Sequence, residues 1–432
     1  MPVAMEHNNH YTWIEPLSAL GALKDEPNLV CFYSAFTEAH TGRYSFLCWG
    51  IADEISGTDW QASAKISNNV PWHENAWFGW LGYGLRHATE LLPNAAPSPI
   101  AHAPLHLMQF HHILRFDHML HTIEYYHDAP ADERWIKGST PTETAPPHVA
   151  SLSSNMKRSD YLHMVQATIE RIKAGDFYQA NITRKFIGVL NEPPCPIHLF
   201  STLCTISPAP YSALIKRGHD AIISSSPECF LSIDATGNIT ARPIKGSARK
   251  SPDAVIDAAI QQSLIHSEKD HAENRMIVDL MRNDLSRISL PGSVKVTSPA
   301  TLHSYATIHH LIPTINAQKL THISTPQAVA HCFPPGSMTG APKIAAMKWC
   351  SRQEPLERDI YSGAIGWFGG DGSCDLSVVI RTLILRDSQF EFQVGGGIVA
   401  DSVPEQELQE ILVKAKAIAT LLGLSTASLE SL

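Results

Sequence analysis

The sequence predicts an α+β fold built on mostly antiparallel sheet, and three observations carry that expectation. Strand-like segments come in runs: LVCFYSAF and MQFHHILRFDHMLHTIEYY are rich in β-branched and aromatic residues. Helical patterns stand in blocks of their own, without the regular βαβ alternation that makes a parallel, doubly wound sheet. Composition is globular, with 432 residues, 44% hydrophobic and 17% charged, enough length for one large folding unit or two smaller ones.

Taken in chain order, the two runs above place antiparallel strands in the first third. The stretch from Gly138 to Asn155, GSTPTETAPPHVASLSSN, concentrates Pro, Ser and Thr. It reads as a linker or long surface loop and divides the chain into an N-terminal subdomain, 1–150, and a C-terminal domain, 151–432. Beyond it, Tyr161, Val165, Ile169 and Ile172 recur at helical spacing and Gly175 supplies a stop, so a helix precedes the strand FYQANITRKF. Ser251 before Pro252 signals a helix start, and the segment to about Ile288 carries Met276, Ile277, Leu280 and Leu285 on one side. In the last helix, Ser402 with Glu405 predicts a capping box, and Leu408, Ile411, Leu412, Ala415 and Ile418 form a buried stripe.

Several function classes are excluded by composition. A net charge of −9 without clustered Lys and Arg speaks against nucleic-acid binding. No run of about 18 apolar residues spans a membrane, and the start, MPVAMEHNNHYTW, lacks the pattern of a secretory signal. A soluble, cytoplasmic protein is expected. The eight cysteines include no C-x-x-C pair, and the 23 histidines lack the second half of a metal motif, so neither a zinc site nor a disulfide framework is suggested.

Two helices each carry an acidic pair three residues apart on one face: Asp270 with Glu273, and Glu407 with Glu410, the latter followed by Lys414. Magnesium takes one or two protein carboxylates and fills its octahedron with water and substrate oxygen, so two such helices around one pocket suffice. By spacing alone they read first as solvated helix surface, with Lys414 a surface partner of Glu410. Three glycine-bearing segments, Pro243 to Ser247, Gly336 to Lys343 and Gly395 to Ile398, can bring backbone N–H groups close to an anion. The second lacks the Gly-Lys-Ser/Thr ending of a nucleotide loop; Pro342 in the first turn of PKIAAMKWC instead presents a helix N-terminus.

From about Ser159 to Ile418 the chain resembles the chorismate-binding enzyme family. The matching segments, in order, are GDFYQANITRKF, SSSPECFL, RPIKGSAR, EKDHAENRMIVDLMRNDLSRI, HHLIPTINA, FPPGSMTGAPKIAAM, YSGAIGWF, LSVVIRTL and GGGIVADSVPEQELQEILVKAKAI. GRYSFL and GWLGYGLR extend the likeness, more weakly, to the N-terminal part of the two amino-transferring branches. The resemblance implies two large, mostly antiparallel sheets packed as a sandwich, helices outside, and a site in a cleft near the sheet core. It implies magnesium held directly by Glu273 and Glu410 and through water by Asp270 and Glu407, with Lys414 facing the same ring carboxylate of chorismate. Tyr361 and Arg381 resemble the binders of the enolpyruvyl carboxylate, with Gly246, Thr339 and Gly396 giving closer polar contacts. An Arg fork suits a carboxylate, although a buried structural ion pair remains the alternative.

Lys245 decides between branches. Where anthranilate, isochorismate and salicylate enzymes carry alanine, a lysine resembles the aminodeoxychorismate synthases, which implies covalent attack on ring C2 before ammonia enters at C4. A free lysine has a pKa near 10.4, so the pocket must lower it; desolvation and the nearby metal charge are the expected means. The alternative is a simple electrostatic contact with a substrate carboxylate. Glu228 resembles the general acid of the departing C4 hydroxyl, which calls for a raised pKa. His310 resembles a supporting pocket histidine, though Pro313 replaces the serine usual nearby. Gln179 stands where isochorismate and salicylate synthases carry a water-activating lysine, and an amide cannot act as a base. CFYSAF also lacks the Leu-Glu-Ser of many tryptophan-regulated relatives.

No cysteine sits in the Gly-x-Cys-x-Gly context of a glutaminase nucleophile, so a separate glutamine amidotransferase subunit is expected to deliver ammonia. The reading is an enzyme that aminates chorismate for 4-aminobenzoate and folate synthesis. Its rivals are amination at C2, the anthranilate reaction, and a noncatalytic chorismate-binding regulator.

Overall fold

Strand Leu105–Asp117 lies along the whole of Tyr44–Gly57 on one edge, and on its other edge takes Trp77–Leu81 at one end and Thr122–His127 at the other. The computed structural model describes residues 5–8, 11–35, 41–66, 69–139, 145–304 and 308–432. That fork splits the strand network into two limbs. The first runs through Asn28–Tyr33, Tyr211–Arg217, Asp220–Ser226, Thr382–Arg386 and Gln389–Ile398 to Gln179–Leu190. The second runs through Ala364–Phe368, Cys374–Val378, Cys229–Ile233 and Asn238–Arg242 to Ile308–Gln318 and Lys295–Ser304. All these pairings are antiparallel, as the runs of strands predict.

The alternation of side chains along each strand shows how the limbs pack. Val30, Ala213, Ile215, Ile222 and Ile384 of the first limb share one core with Phe78, Trp80 and Ile365 of the second. Their chain neighbours Leu29, Cys31, Leu214, Ile223 and Leu383 face the other way, against Val165, Ile169, Leu408 and Ile411 of two outer helices. On the second limb, Ile239, Ala241, Ile315 and Leu376 pack against Ile277, Met281 and Leu285 of a third helix. The result is a two-sheet sandwich coated by helices, the α+β architecture expected.

Local differences have local causes. Helix Arg158–Lys173 buries Tyr161, Val165 and Ile169, and Gly175 follows it with φ +89°. The segment beginning near Ser251 is two helices rather than one, Ala254–Ile265 capped by Asp253 and Glu268–Ser286 capped by Ser267, whose hydroxyl accepts from the Asp270 N–H. The last helix, Pro404–Leu421, starts one residue later than the predicted capping box, with Val403 at the cap and Pro404 in the first turn. Ser402 donates instead to Glu407 Oε1 at 2.6 Å, and Glu405 pairs with Arg158. Pro342 is the cap residue of helix Lys343–Gln353 rather than part of its first turn. Of the stretch read as a loop from Gly138 to Asn155, Val149–Ser154 is a strand paired with Gln179–Leu190, and 140–144 lie outside the described residues.

A cavity of about 280 Å³ between the sheets, lined by Tyr33, Tyr211, Arg242, Trp367 and Asp375 among others, contains none of the candidate site residues. No helix among the described residues is long and apolar enough to cross a membrane.

Candidate active site

Lys245 sits at a break in a β-ladder. Strands Asn238–Arg242 and Ser247–Arg249 both pair with Ile308–Gln318, and the four residues between them leave the ladder opposite Pro313. Proline cannot donate, and on its other side strand Lys295–Ser304 shifts register between Ser298 and Thr301, so Pro313 occupies a place where neither neighbour needs its N–H. Leu311 anchors the loop by donating from its N–H to the Gly246 carbonyl at 3.0 Å. Gly246 turns the chain with φ +78°, and a Cβ there would stand 3.0 Å from the Cβ of Asp270, so helix Glu268–Ser286 packs straight onto the loop.

By exposed area Lys245 is only partly covered, yet burial among protein atoms lowers its ammonium pKa from the ordinary value. Glu273, Glu228 and Glu410 act in the opposite sense and Lys414 reinforces the lowering. Its amine makes no hydrogen bond or ion pair with the described residues. Glu228, 5% exposed, shows the complementary shift: burial raises its carboxyl pKa, while hydrogen bonds from the Ser337 hydroxyl and the Ile244 N–H and the charges of Lys245 and Lys414 pull it back. The Lys245 amine and the Glu228 carboxyl thus lie within each other's electrostatic reach, each shifted toward its neutral form.

Helix Glu268–Ser286 brings Asp270 beside Gly246 and Glu273 into the field of Lys245. From the other side, helix Pro404–Leu421 places Glu407 Oε2 3.3 Å from where a Gly396 Cβ would be. Its Glu410 pairs with Lys414 at 2.7 Å, as the helical spacing suggests, and the same amine reaches the Gly395 carbonyl at 3.1 Å. Both acidic pairs thus border the Lys245 loop and the glycine strand. Among the described residues no three His, Cys, Asp or Glu form a ready-made metal cluster. Magnesium needs only one or two carboxylates, and carboxylate oxygens arriving from two helices are the donor type it takes.

Arg381 lies just before strand Thr382–Arg386, with φ +50°. Its guanidinium has no ion pair or hydrogen bond among the described residues, and burial lowers its pKa. The alternative of a structural ion pair finds no partner there. Arg381 neighbours His310, which is 2% exposed and whose pKa falls to about 3 through burial and then the Arg381 charge. His310 is therefore neutral at ordinary pH. Tyr361 is buried on the turn between Asp359 and Ser362, and burial raises its pKa. Thr339 is fully buried, its hydroxyl on the Gly336 carbonyl at 3.1 Å.

Four further residues shape the site. Ser337 supports Glu228. Gln179 is 2% exposed with its Oε1 lacking a hydrogen-bond partner among the described residues, and its Nε2 lies beside the Cβ position of Gly397. Asn274 donates to the Lys245 carbonyl at 2.9 Å. Arg358 donates to the Met338 carbonyl at 2.8 Å and the Ser362 hydroxyl at 3.2 Å, joining the Thr339 loop to the Tyr361 turn. Gln179 was singled out by the resemblance, and Asn274 had a sequence signal, one helical turn beyond Asp270; the Met338 and Asn181 partners of Arg358 lie too far along the chain for any spacing rule.

Residues 32–420 match the model of the chorismate binding enzyme family. The chain is 36% identical over 343 residues to aminodeoxychorismate synthase component 1 of Salmonella typhimurium, covering 79% of this chain and 75% of that protein. The protein of the same name in Escherichia coli is 35% identical over 82% of this chain and 78% of its own length. Anthranilate synthase component 1 of Thermus thermophilus is 32% identical over 81% and 78%. The crystal structure of anthranilate synthase component I from Streptococcus pneumoniae superposes with a TM-score of 0.76 at 26% identity, covering 88% of this chain and 93% of that one. With a matching model across most of its length and relatives of this identity on one fold, the chain belongs to the chorismate binding enzyme family.

Proposed function

We propose that this chain aminates chorismate at C4, giving 4-amino-4-deoxychorismate for 4-aminobenzoate and folate synthesis in the cytoplasm. The observation that carries the reading is the electrostatically linked pair of Lys245, with a lowered pKa and no ion pair among the described residues, and Glu228, with a raised one. The names of the relatives support the same reaction.

In the proposed reaction the neutral Lys245 amine attacks C2, the ring double bonds shift, and the C4–O bond breaks as Glu228 protonates the hydroxyl, which leaves as water. Ammonia then adds at C4, the double bonds shift back, and the C2–N bond breaks to free Lys245 as a neutral amine. The new ammonium passes its proton to Glu228. One water is exchanged for one ammonia and both groups return to their starting states.

Arg381 and Tyr361 hold the enolpyruvyl carboxylate in this reading. Gly246, Thr339 and Gly396 give polar contacts, His310 supports the substrate, and Lys414 faces the ring carboxylate. When held by Glu273 and Glu410 directly, and by Asp270 and Glu407 through water, magnesium supplies positive charge that fixes the ring carboxylate. Ammonia comes from glutamine through a separate amidotransferase subunit, in keeping with relatives named component 1. The division near residue 150 into an N-terminal subdomain and a chorismate-binding domain belongs to the same proposal.

Amination at C2 is the second reading, favoured by the 32% identity to an anthranilate synthase and opposed by Lys245. The purified chain, incubated with chorismate, magnesium and ammonium, separates the two. A product of the mass of 4-amino-4-deoxychorismate that a lyase converts to 4-aminobenzoate supports C4 amination, and anthranilate refutes it.

A further inference from the structure

We propose that Asn274 is a positioning residue for Lys245: it locks the lysine loop to the helix that carries Asp270 and Glu273. The inference rests on the amination reading above. Asn274 is 3% exposed, and its Nδ2 donates both to the Lys245 carbonyl at 2.9 Å and to the Asp270 carbonyl at 3.0 Å. An amide nitrogen has two hydrogens, so both are used. The Lys245 carbonyl receives no main-chain N–H among the described residues, because its segment has left the ladder. One side-chain amide therefore satisfies a carbonyl that the sheet abandons, and does so from the facing helix.

Gly246 makes the coupling tight. The point where its Cβ would be lies 3.0 Å from the Asp270 Cβ and 3.1 Å from Oδ1, so no side chain separates loop from helix. With Asn274 bridging both backbones, the Lys245 Cα and the two carboxylates of the helix move as one piece. The Lys245 amine has no hydrogen bond or ion pair among the described residues to aim it, so its approach depends on where its backbone is held. Covalent attack is sensitive to that placement: a shift of about 1 Å in a reacting group costs on the order of 10²-fold in rate. In this reading Arg381 and Tyr361 hold the enolpyruvyl carboxylate and neither bonds Asn274 among the described residues, so that share of chorismate affinity does not depend on Asn274. Its loss should slow attack without loosening the substrate.

The test uses the full chain with magnesium and chorismate, without ammonia, and follows the Lys245 adduct by quenched-flow mass spectrometry alongside KM for chorismate and thermal stability. Asn274→Leu keeps the volume and removes the donor; Asn274→Asp does the same with a polar group, in case the leucine variant fails to fold. Both should form the adduct on the order of 10²-fold more slowly, with KM changed less than about threefold. Asn274→His keeps a ring N–H and should recover much of the rate. Adduct formation at the wild-type rate in the leucine and aspartate variants would overturn the proposal. So would a loss of rate that tracks lost stability and is not restored by histidine. Should the unmodified chain aminate chorismate with no adduct at all, the covalent reading itself falls and this role with it.

Discussion

Gly397 stands between Gln179 and Lys245: a Cβ built on it would meet Gln179 Nε2 at 2.2 Å while lying 3.4 Å from Lys245 Nζ. Gln179 is too buried to swing aside. Gly397→Ala should therefore crowd both the Gln179 amide and the Lys245 amine, reducing kcat/KM on the order of 10²-fold and stability by about 1–3 kcal/mol from overpacking. Steady-state kinetics and denaturant melts of the variant check both numbers.

The opposed shifts of Lys245 and Glu228 shape the pH dependence. In the proposed reaction turnover requires neutral Lys245 and protonated Glu228, whose pKa values are lowered from 10.5 and raised from 4.5 respectively. If the Glu228 value stays the lower, kcat/KM climbs with pH until Glu228 begins to ionise. It then runs level while lost acid offsets gained free amine, and falls once Lys245 is fully neutral. Glu228→Gln removes the acid requirement: the residual rate should be low and should keep climbing through the plateau, with no alkaline fall. A variant retaining the alkaline limb would show that another group is the acid.

Much of this candidate site was legible through the resemblance carried by short segments, whereas spacing alone read the acidic pairs as solvated helix surface. The acidic pairs lie on two helices, and Lys245, Glu228 and Arg381 lie just outside strand ends, in short segments that the sequence marks. What stayed hidden depends on distant partners. The Pro–Ser-rich stretch before residue 155 is read as loop by composition, but Val149–Ser154 becomes a strand because Gln179–Leu190 offers it an edge. The break at His266 and Ser267 is local instead: the Ser267 hydroxyl accepts from the Asp270 N–H and caps a second helix. Lys185 and Glu391, both nearly devoid of exposure, pair at 2.9 Å across two strands, and no sequence rule joins residues 206 apart.

Arg358 illustrates the same point in energetic terms. It is 1% exposed, paired with Glu354, and spans to the carbonyls of Asn181 and Met338. Arg358→Met leaves Glu354 buried without its counter-charge, so the variant should lose about 3–5 kcal/mol of stability. Chemical denaturation measures this; a loss below about 1 kcal/mol would mean that Glu354 takes up a proton or finds another partner.

The missing glutaminase motif makes a kinetic prediction. The purified chain should turn over chorismate with ammonium salts, show essentially no rate with glutamine, and gain glutamine-dependent rate only when an amidotransferase subunit is added. Equal rates with glutamine and ammonium from the chain alone would contradict a separate ammonia source.

Intact-mass and peptide mapping of the protein after mixing with chorismate and magnesium examines the lysine directly. The account predicts an adduct of chorismate less one water on the peptide containing residue 245, absent in Lys245→Ala together with amination, while that variant still binds magnesium. An adduct of unchanged yield in Lys245→Ala, or undiminished C4 amination by it, would contradict the account.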